Sequence, residues 1–374
     1  MLDIKLIRRQ PGEVLAALAR RDPGLVEVVE EILQQDQEWR AATSSSESLR
    51  AKQRSDSESI AAGKKAGADV SGLLAGMKDL SARVKGLTEQ ADRAKERLDA
   101  LLLRLPNLPD PTAAPGPEDE LVRVVGEVPA LGFTARDHLE LAGGRIDMDH
   151  AAKLSGARFA YLKGDLVLLE LALVRWVLEQ LRGHGFEPVI PPVLVRERAL
   201  FGTGFLPDTE QQIYSLPEDE LYLVGTSEVA LASLHDEEIL DAERLPLRYA
   251  GFSPCFRREA GAAGKDTRGI FRVHQFDKVE MFSFVEPPDS GAEHERILAI
   301  EEEILTALGL PYRIVNIAVN DLGASAAKKY DCEAWLPSQE RYRELTSCSN
   351  TTDYQARRLN IRVRREKRDR PGAG

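Results

Sequence analysis

Apolar residues recur along 73–105 in an unbroken four-three alternation: Leu73, Met77, Leu80, Val84, Leu87, Ala91, Ala94, Leu98, Leu101 and Leu105. An a/d seam held this long predicts a helix that packs lengthwise against a partner helix. Residues 25–66 are also helix-prone, with Leu25, Val29, Ile32 and Trp39 on one face. That face then thins into Thr43, Ser46, Gln53 and Ser57, leaving Leu49 and Ile60 as its apolar members. Between the two lies Gly67-Ala68-Asp69-Val70-Ser71-Gly72, a reversal followed by a helix start. The pattern predicts an antiparallel two-helix coiled-coil arm, about 40 residues per helix and about 60 Å long. A hairpin of this length buries too little to be its own core. It is expected to project from a larger domain, with a dimerisation coiled coil as the alternative reading.

Proline density at Pro106-Asn107-Leu108-Pro109-Asp110-Pro111 and on to Pro117 ends the helical pattern and predicts a linker over 106–120. The arm with its lead-in then occupies 1–105. From residue 121 the pattern is mixed. A strongly apolar helix is expected over 166–181, stopped by Gly183-His184-Gly185. Short strands follow near 186–195, 220–224, 247–257, 271–285, 312–319 and 330–345. Their close spacing predicts an antiparallel sheet flanked by helices rather than repeated βαβ units, so the class is α+β.

Composition narrows the picture. The chain has 374 residues, 43% of them hydrophobic, and no apolar run long enough to span a membrane. The N-terminus lacks the apolar stretch of a signal peptide, which predicts a cytoplasmic protein with no membrane partner. Cys255, Cys332 and Cys348 show no metal-binding spacing, so reduced thiols are expected. Net charge is −11, against indiscriminate nucleic-acid binding. Residues 50–85 reverse the sign, with eight Lys or Arg against four acids. That basic stretch marks either a binding face or a solvated helix surface.

The densest chemistry lies in 256–284. Arg257, Arg258 and Glu259 open the stretch, a Gly- and Ala-rich loop follows, and Arg272, Phe276 and Glu280 arrive on an alternating apolar run. Burying both charge signs this closely is unfavourable unless a polar ligand completes the pairing. The stretch therefore predicts a nucleotide and amino-acid site on two strands, against the alternative of a salt-bridged structural hairpin. Neither a P-loop nor a G-x-G-x-x-G fingerprint occurs, so ATP would be held by another route.

Gly185-Phe186-Glu187-Pro188-Val189-Ile190-Pro191-Pro192 resembles motif 1 of class II aminoacyl-tRNA synthetases, and Phe256-Arg257-Arg258-Glu259 resembles motif 2. Thr226-Ser227-Glu228, His274-Gln275-Phe276 and Glu344-Leu345-Thr346-Ser347-Cys348-Ser349-Asn350 narrow the likeness to the bacterial-type seryl-tRNA synthetases, over residues 1 to about 364. The resemblance implies a class II catalytic domain over 121–364 that activates serine with ATP and transfers it to tRNA(Ser), and to tRNA(Sec). It implies that Arg257 is catalytic, bridging the α-phosphate and the serine carboxylate. Thr226, Ser227, Glu228, Arg257 and Glu280 would bind serine, with Glu280 on its hydroxyl and Thr226 and Glu228 on its amino group. Arg257, Arg258, Glu259, Arg272, Val273, Phe276 and residues Glu344, Leu345, Thr346 and Ser347 would bind ATP. Phe276 and Arg272 would sandwich the adenine, Glu259 would accept from its amino group, and Glu344 and Ser347 would hold Mg2+. By the same likeness, Arg50, Lys52, Arg54, Lys64, Lys65, Lys78, Arg83 and Lys85 would grip the tRNA backbone, and the protein would be a homodimer joined through motif 1. A helix cap at Thr226 and an ordinary core place for Phe276 are the structural alternatives.

The likeness stops after Gln355-Ala356-Arg357-Arg358-Leu359-Asn360-Ile361-Arg362-Val363-Arg364. Class II enzymes also carry a motif 3 strand and helix, with an arginine for the ATP phosphates. Residues 365–374 have no apolar periodicity and read as a basic disordered tail. The expectation is a catalytic domain incomplete at its C-terminal side, as from a truncated or frame-shifted gene. Loss of the arginine would slow activation about 10²–10³-fold. Two alternatives remain: a catalytically inactive tRNA-binding homologue, and a ligase for a non-tRNA acceptor.

Overall fold

The a/d seam folds as its spacing requires. In the computed structural model, helix α1 (Leu25–Lys65) and helix α2 (Ser71–Arg104) run antiparallel about the 67–70 turn. All residues are described except 208–211, 262, 263, 265, 267, 366–371 and 374. The chain divides into two units, Met1–Pro106 and Asn107–Gly374.

Within the first unit, burial is concentrated at one end of the hairpin. Val29, Ile32, Leu98, Leu101 and Leu105 are buried, whereas Leu73 is 41% exposed. Where the α1 face turns polar, hydrogen bonds replace apolar contact. Ser46 and Thr88 hydroxyls meet at 3.1 Å, and Gln53 donates to Ser81 at 2.8 Å. Asp36 was not foreseen. It is buried between Arg8 at 2.7 Å and Arg40 at 2.9 Å, so its charge is paired on two sides.

The second unit begins with the proline segment, which docks rather than dangles. Asn107 is buried; its amide group donates to the carbonyls of Ser325 and Thr351, and its backbone N–H donates to Ala324. Asp110 N–H donates to the carbonyl of Ala327. Prolines lack the donor, so these two residues supply the bonds that tie an extended segment down.

Two sheets form the frame of the site. In one, strand β1 (Glu120–Val125) pairs antiparallel with β6 (Tyr312–Asn316), β6 with β7 (Lys328–Leu336), and β7 with β8 (Arg341–Asn350). The stretch 330–345, expected as one strand, is therefore the hairpin β7–β8. In the other, β5 (Gln275–Phe284) pairs antiparallel with β4 (Leu247–Phe256) over ten residues, from Gln275↔Phe256 to Phe284↔Leu247. Strand β2 (Glu187–Val189) joins β4 in parallel, and β3 (Ile239–Asp241) runs parallel to β9 (Arg362–Arg364), so the unit is not wholly antiparallel. The expected tail lies almost wholly outside the described residues; its Gly372–Ala373 form a short strand against β9.

Helix α3 (Asp165–Gly183) is apolar almost all round, as its sequence requires. It buries Leu181 but leaves Leu168 66% and Leu171 55% exposed. Helix α5 (Ser290–Ala307) packs against both sheets: Leu298 and Leu305 join Tyr312, Ile314, Cys332 and Cys348, while Ile300 joins Phe186 and Ala250. Its buried Glu293 receives Arg248 of β4 through two hydrogen bonds, at 2.6 and 2.7 Å.

Leu98→Ala is expected to destabilise the first unit by about 2–5 kcal/mol, because the leucine is wholly buried. Leu73→Ala should change it by less than about 0.5 kcal/mol. Urea denaturation followed by circular dichroism would read both, and equal losses would contradict this distribution of packing.

Candidate active site

A cavity of about 1170 Å³ lies between β5 and β8, floored by α5 and reached by α3. Among the described residues, β5 pairs with β4 alone and β8 with β7 alone, so both edges that border the cavity carry no strand partner. Thr226, Glu228, Arg257, Phe276, Glu280, Glu344, Leu345, Thr346 and Ser347 line it. Ser227, Arg258, Glu259, Arg272 and Val273 do not.

At one end of the cavity the Gly225–Glu228 turn enters the short helix α4 (Glu228–Ala232). Thr226 is buried, and its hydroxyl accepts from the Glu228 N–H at 3.2 Å and donates to Glu280 Oε2 at 2.6 Å. It thus serves the helix start and the site together. Glu228 accepts from the Gln355 amide at 2.7 Å. Burial, and next the charge of Glu280, hold its carboxyl above the usual carboxylate range. The Ser227 hydroxyl is buried and has no hydrogen-bond partner among the described residues.

The motif 2 residues diverge after Arg257. Its guanidinium lies 5.1 Å from the centre of the Phe276 ring, and its Nε donates to the Gly225 carbonyl at 3.1 Å. Phe276 is thus faced by a cation and is not ordinary core. Arg258 points outward and is exposed, although its N–H donates to the Gln212 carbonyl. Glu259 sits at φ 50°, a conformation non-glycine residues seldom adopt, and ion-pairs with Arg272. Arg272 therefore pairs with Glu259 here, and the cation over the Phe276 ring is Arg257. Val273 follows in the segment that leads to β5.

A bulge arranges the far wall. On a regular strand, residues 344 and 347 would face opposite sides. The β7–β8 register shifts at Cys332/Glu333, so that Glu333 faces Glu344 while Cys332 faces Thr346. Leu345 is the extra residue and is 52% exposed. As a result Glu344 and Ser347 share one face with Lys329 and Asp331: Lys329 Nζ is 3.9 Å from Glu344 and 2.8 Å from Asp331. Burial pushes Asp331 up to about 6. Among the described residues, no cluster of three or more His, Cys, Asp or Glu could hold a metal on its own.

Sequence reasoning missed four residues. Lys278 bonds Thr226 at 2.7 Å and pairs with Glu280. The two-residue spacing to Glu280 on a strand signalled their shared face. Gln355 reaches Glu228 from 127 positions away, and no local pattern announces it. Arg343 clamps Asp266 with two hydrogen bonds, at 2.9 and 2.7 Å, and stacks 4.9 Å over Phe271, so it tethers the loop of motif 2. Glu301 of α5 lies buried beneath the cavity, where burial raises its carboxyl to about 7 despite the Cys332 thiol donating at 3.6 Å. The eight basic residues expected to touch tRNA are all exposed, with Arg50 also donating to Thr88 at 3.0 Å.

Comparisons with known proteins agree with this architecture. Residues 1–109 match the seryl-tRNA synthetase N-terminal domain, and 213–371 match the tRNA synthetase class II core domain (G, H, P, S and T). A serine–tRNA ligase of Streptomyces coelicolor is 50% identical over 99% of this chain and 88% of its own length. One from Acidothermus cellulolyticus is also 50% identical, over 99% and 89%. The crystal structure of seryl-tRNA synthetase from Pyrococcus horikoshii complexed with ATP superposes with a TM-score of 0.96 at 42% identity, covering 100% of this chain and 89% of that one. The cytoplasmic enzyme of Naegleria fowleri in complex with AMP gives 0.86 at 32% identity, covering 97% and 86%.

Because the Glu301 carboxyl is raised in the folded state, the native protein holds its proton more tightly than the unfolded chain. This group's contribution to stability is therefore full below about pH 4.5 and declines as pH rises to about 7, by about 3 kcal/mol. Glu301→Gln should flatten that decline and be the more stable variant at pH 8. Denaturant midpoints at pH 5 and pH 8 check it, and a steeper decline in the variant would contradict the assignment.

Proposed function

We infer, from the fact that this chain belongs to the seryl-tRNA synthetase family, that it is a serine–tRNA ligase working in the cavity between β5 and β8. The observation that carries the reading is the convergence of Thr226, Glu228, Glu280, Arg257 and Phe276 on one cavity, with complementary charges and a ring face. A serine carboxylate oxygen attacks the α-phosphorus of ATP, and pyrophosphate leaves. The 3′-terminal hydroxyl of tRNA(Ser) then attacks the carbonyl carbon of the adenylate and releases AMP.

Positioning and charge do most of the catalysis in such a transfer. Arg257 spans the serine carboxylate and the α-phosphate, where a planar guanidinium can offer paired donors. Thr226 and Glu228 take the serine ammonium, and Glu280 takes the hydroxyl. Phe276 stacks on the adenine, and Leu345 and Thr346 complete the ATP wall of the cavity. Arg258, Glu259, Arg272 and Val273 lie outside that lining, so the resemblance alone assigns them to the nucleotide, with Glu259 and Arg272 first having to part from each other. Glu344 and Ser347 offer a carboxylate and a hydroxyl on one face, hard oxygens that fit Mg2+, which when bound would neutralise triphosphate charge. The basic residues of the arm meet the tRNA backbone.

Two unsatisfied surfaces support the rest of the reading. The outward side of α3 and Ile190 of motif 1, 82% exposed, suit a second copy of the chain as a dimer. The edges of β5 and β8, which carry no strand partner on the cavity side among the described residues, suit a further strand laid between them. No helix among the described residues is long and apolar enough to cross a membrane, and the reading assigns the enzyme to the cytoplasm, where tRNA is charged.

Serine-dependent exchange of pyrophosphate into ATP tests the assignment. Arg257→Ala should lower the exchange rate by about 10²–10³-fold. Faster exchange with another amino acid would overturn the specificity. Absence of exchange, together with undiminished tRNA binding, would favour the inactive tRNA-binding reading. Lys64→Glu with Lys65→Glu should weaken tRNA(Ser) binding and reduce its salt dependence, leaving exchange unchanged. Unaltered tRNA affinity would remove the arm from the interface.

A further inference from the structure

Lys278 has no role in the mechanism above, yet it sits inside the serine pocket. Alternation along β5 puts it on the same face as Glu280. Its ammonium donates to the Thr226 hydroxyl at 2.7 Å and pairs with Glu280 Oε2, and Thr226 donates to that same oxygen at 2.6 Å. Glu280 Oε2 therefore receives two donors, whereas Oε1 receives none among the described residues. The two side chains are 31% and 19% exposed, so solvent has limited access to loosen the arrangement.

We infer that Lys278 is a positioning residue for serine specificity: by pinning Glu280 Oε2 against Thr226, it aims Oε1 as a fixed acceptor for the serine hydroxyl. The inference rests on the assignment of Glu280 to that hydroxyl.

A carboxylate held at one oxygen by two donors cannot turn about its χ angles, so its second oxygen keeps one direction. An acceptor fixed in a half-buried pocket penalises a ligand with no hydroxyl, because the acceptor is then left unpaired. If Lys278 is replaced by an apolar residue of similar length, Glu280 keeps Thr226 as its single donor. It also faces the carboxylates of Glu228 and Glu301 with less opposing positive charge, since of the two cations that act on Glu228, Lys278 and Arg257, only Arg257 is left. Glu280 can then rotate toward solvent, and the penalty against a ligand without a hydroxyl falls. A lysine that merely offset charge would instead affect serine and alanine alike, since both bring the same ammonium and carboxylate.

Titration calorimetry on the full chain separates these outcomes, using non-hydrolysable seryl- and alanyl-sulfamoyl adenosine as ligands. The unaltered chain should prefer the seryl analogue. Lys278→Met should lower the ratio of seryl to alanyl affinity by about tenfold or more, while alanyl affinity stays within about threefold. Lys278→Arg, which keeps a cation with several donors, should retain most of the ratio. Should the methionine variant not fold, Lys278→Gln gives the same readout. Equal weakening of both analogues, or an unchanged ratio, would overturn the inference while leaving the serine assignment intact. Binding of neither analogue by the unaltered chain would overturn the serine assignment, and this inference with it.

Discussion

Two sheets that share no strand pair among the described residues have to be held in fixed relation, and helix α5 is the element packed on both. Leu298 and Leu305 face the β6–β7–β8 sheet, Ile300 faces β4 and Phe186, and Glu293 fastens Arg248 of β4 through two hydrogen bonds. Burying a carboxylate this way is tolerable because its partner is a guanidinium and Ser283 supplies a further donor at 2.8 Å. The cavity follows from this constraint. With β5 and β8 apart and α5 below them, the space between becomes the place where charged side chains from both sheets meet.

Charge balance then governs what the cavity can accept. Three carboxylates, Glu228, Glu280 and Glu301, approach it with little water, and Lys278 and Arg257 oppose them. Each carboxylate has a different environment: Glu228 has an amide partner, Glu280 has a hydroxyl and an ammonium, and Glu301 has a thiol. An amino acid brings one positive and one negative group, which suits a pocket with both signs. A nucleotide brings negative charge and a flat base, which suits the Arg257–Phe276 pair. One constellation thus serves both substrates of an adenylation.

Much of this was legible in the sequence, for reasons that differ by element. The helical arm was legible because a seam repeated over four heptads leaves little else for those residues to do. Thr226, Arg257, Phe276 and Glu280 were legible through family likeness, and alternation along β5 supports the placement of the last two. The β7–β8 hairpin was not separated into two strands, because its turn at Pro337-Ser338-Gln339-Glu340 lacks the usual glycine and uses Glu340 at φ 49° instead. The bulge that turns Glu344 toward Ser347 has no compositional mark either. Asp36, Gln355 and Glu301 depend on partners brought from other elements by the tertiary fold. Their burial is a property of packing, which single-residue patterns do not encode.

Serine and ATP meet, on this reading, between β5 and β8. A crystal structure of this chain with a non-hydrolysable seryl-adenylate analogue tests it most directly. The ligand's ammonium should lie against Thr226 and Glu228, its hydroxyl on Glu280, and its adenine on Phe276. A ligand bound outside this cavity, or one whose hydroxyl rests on groups other than Glu280, would contradict it.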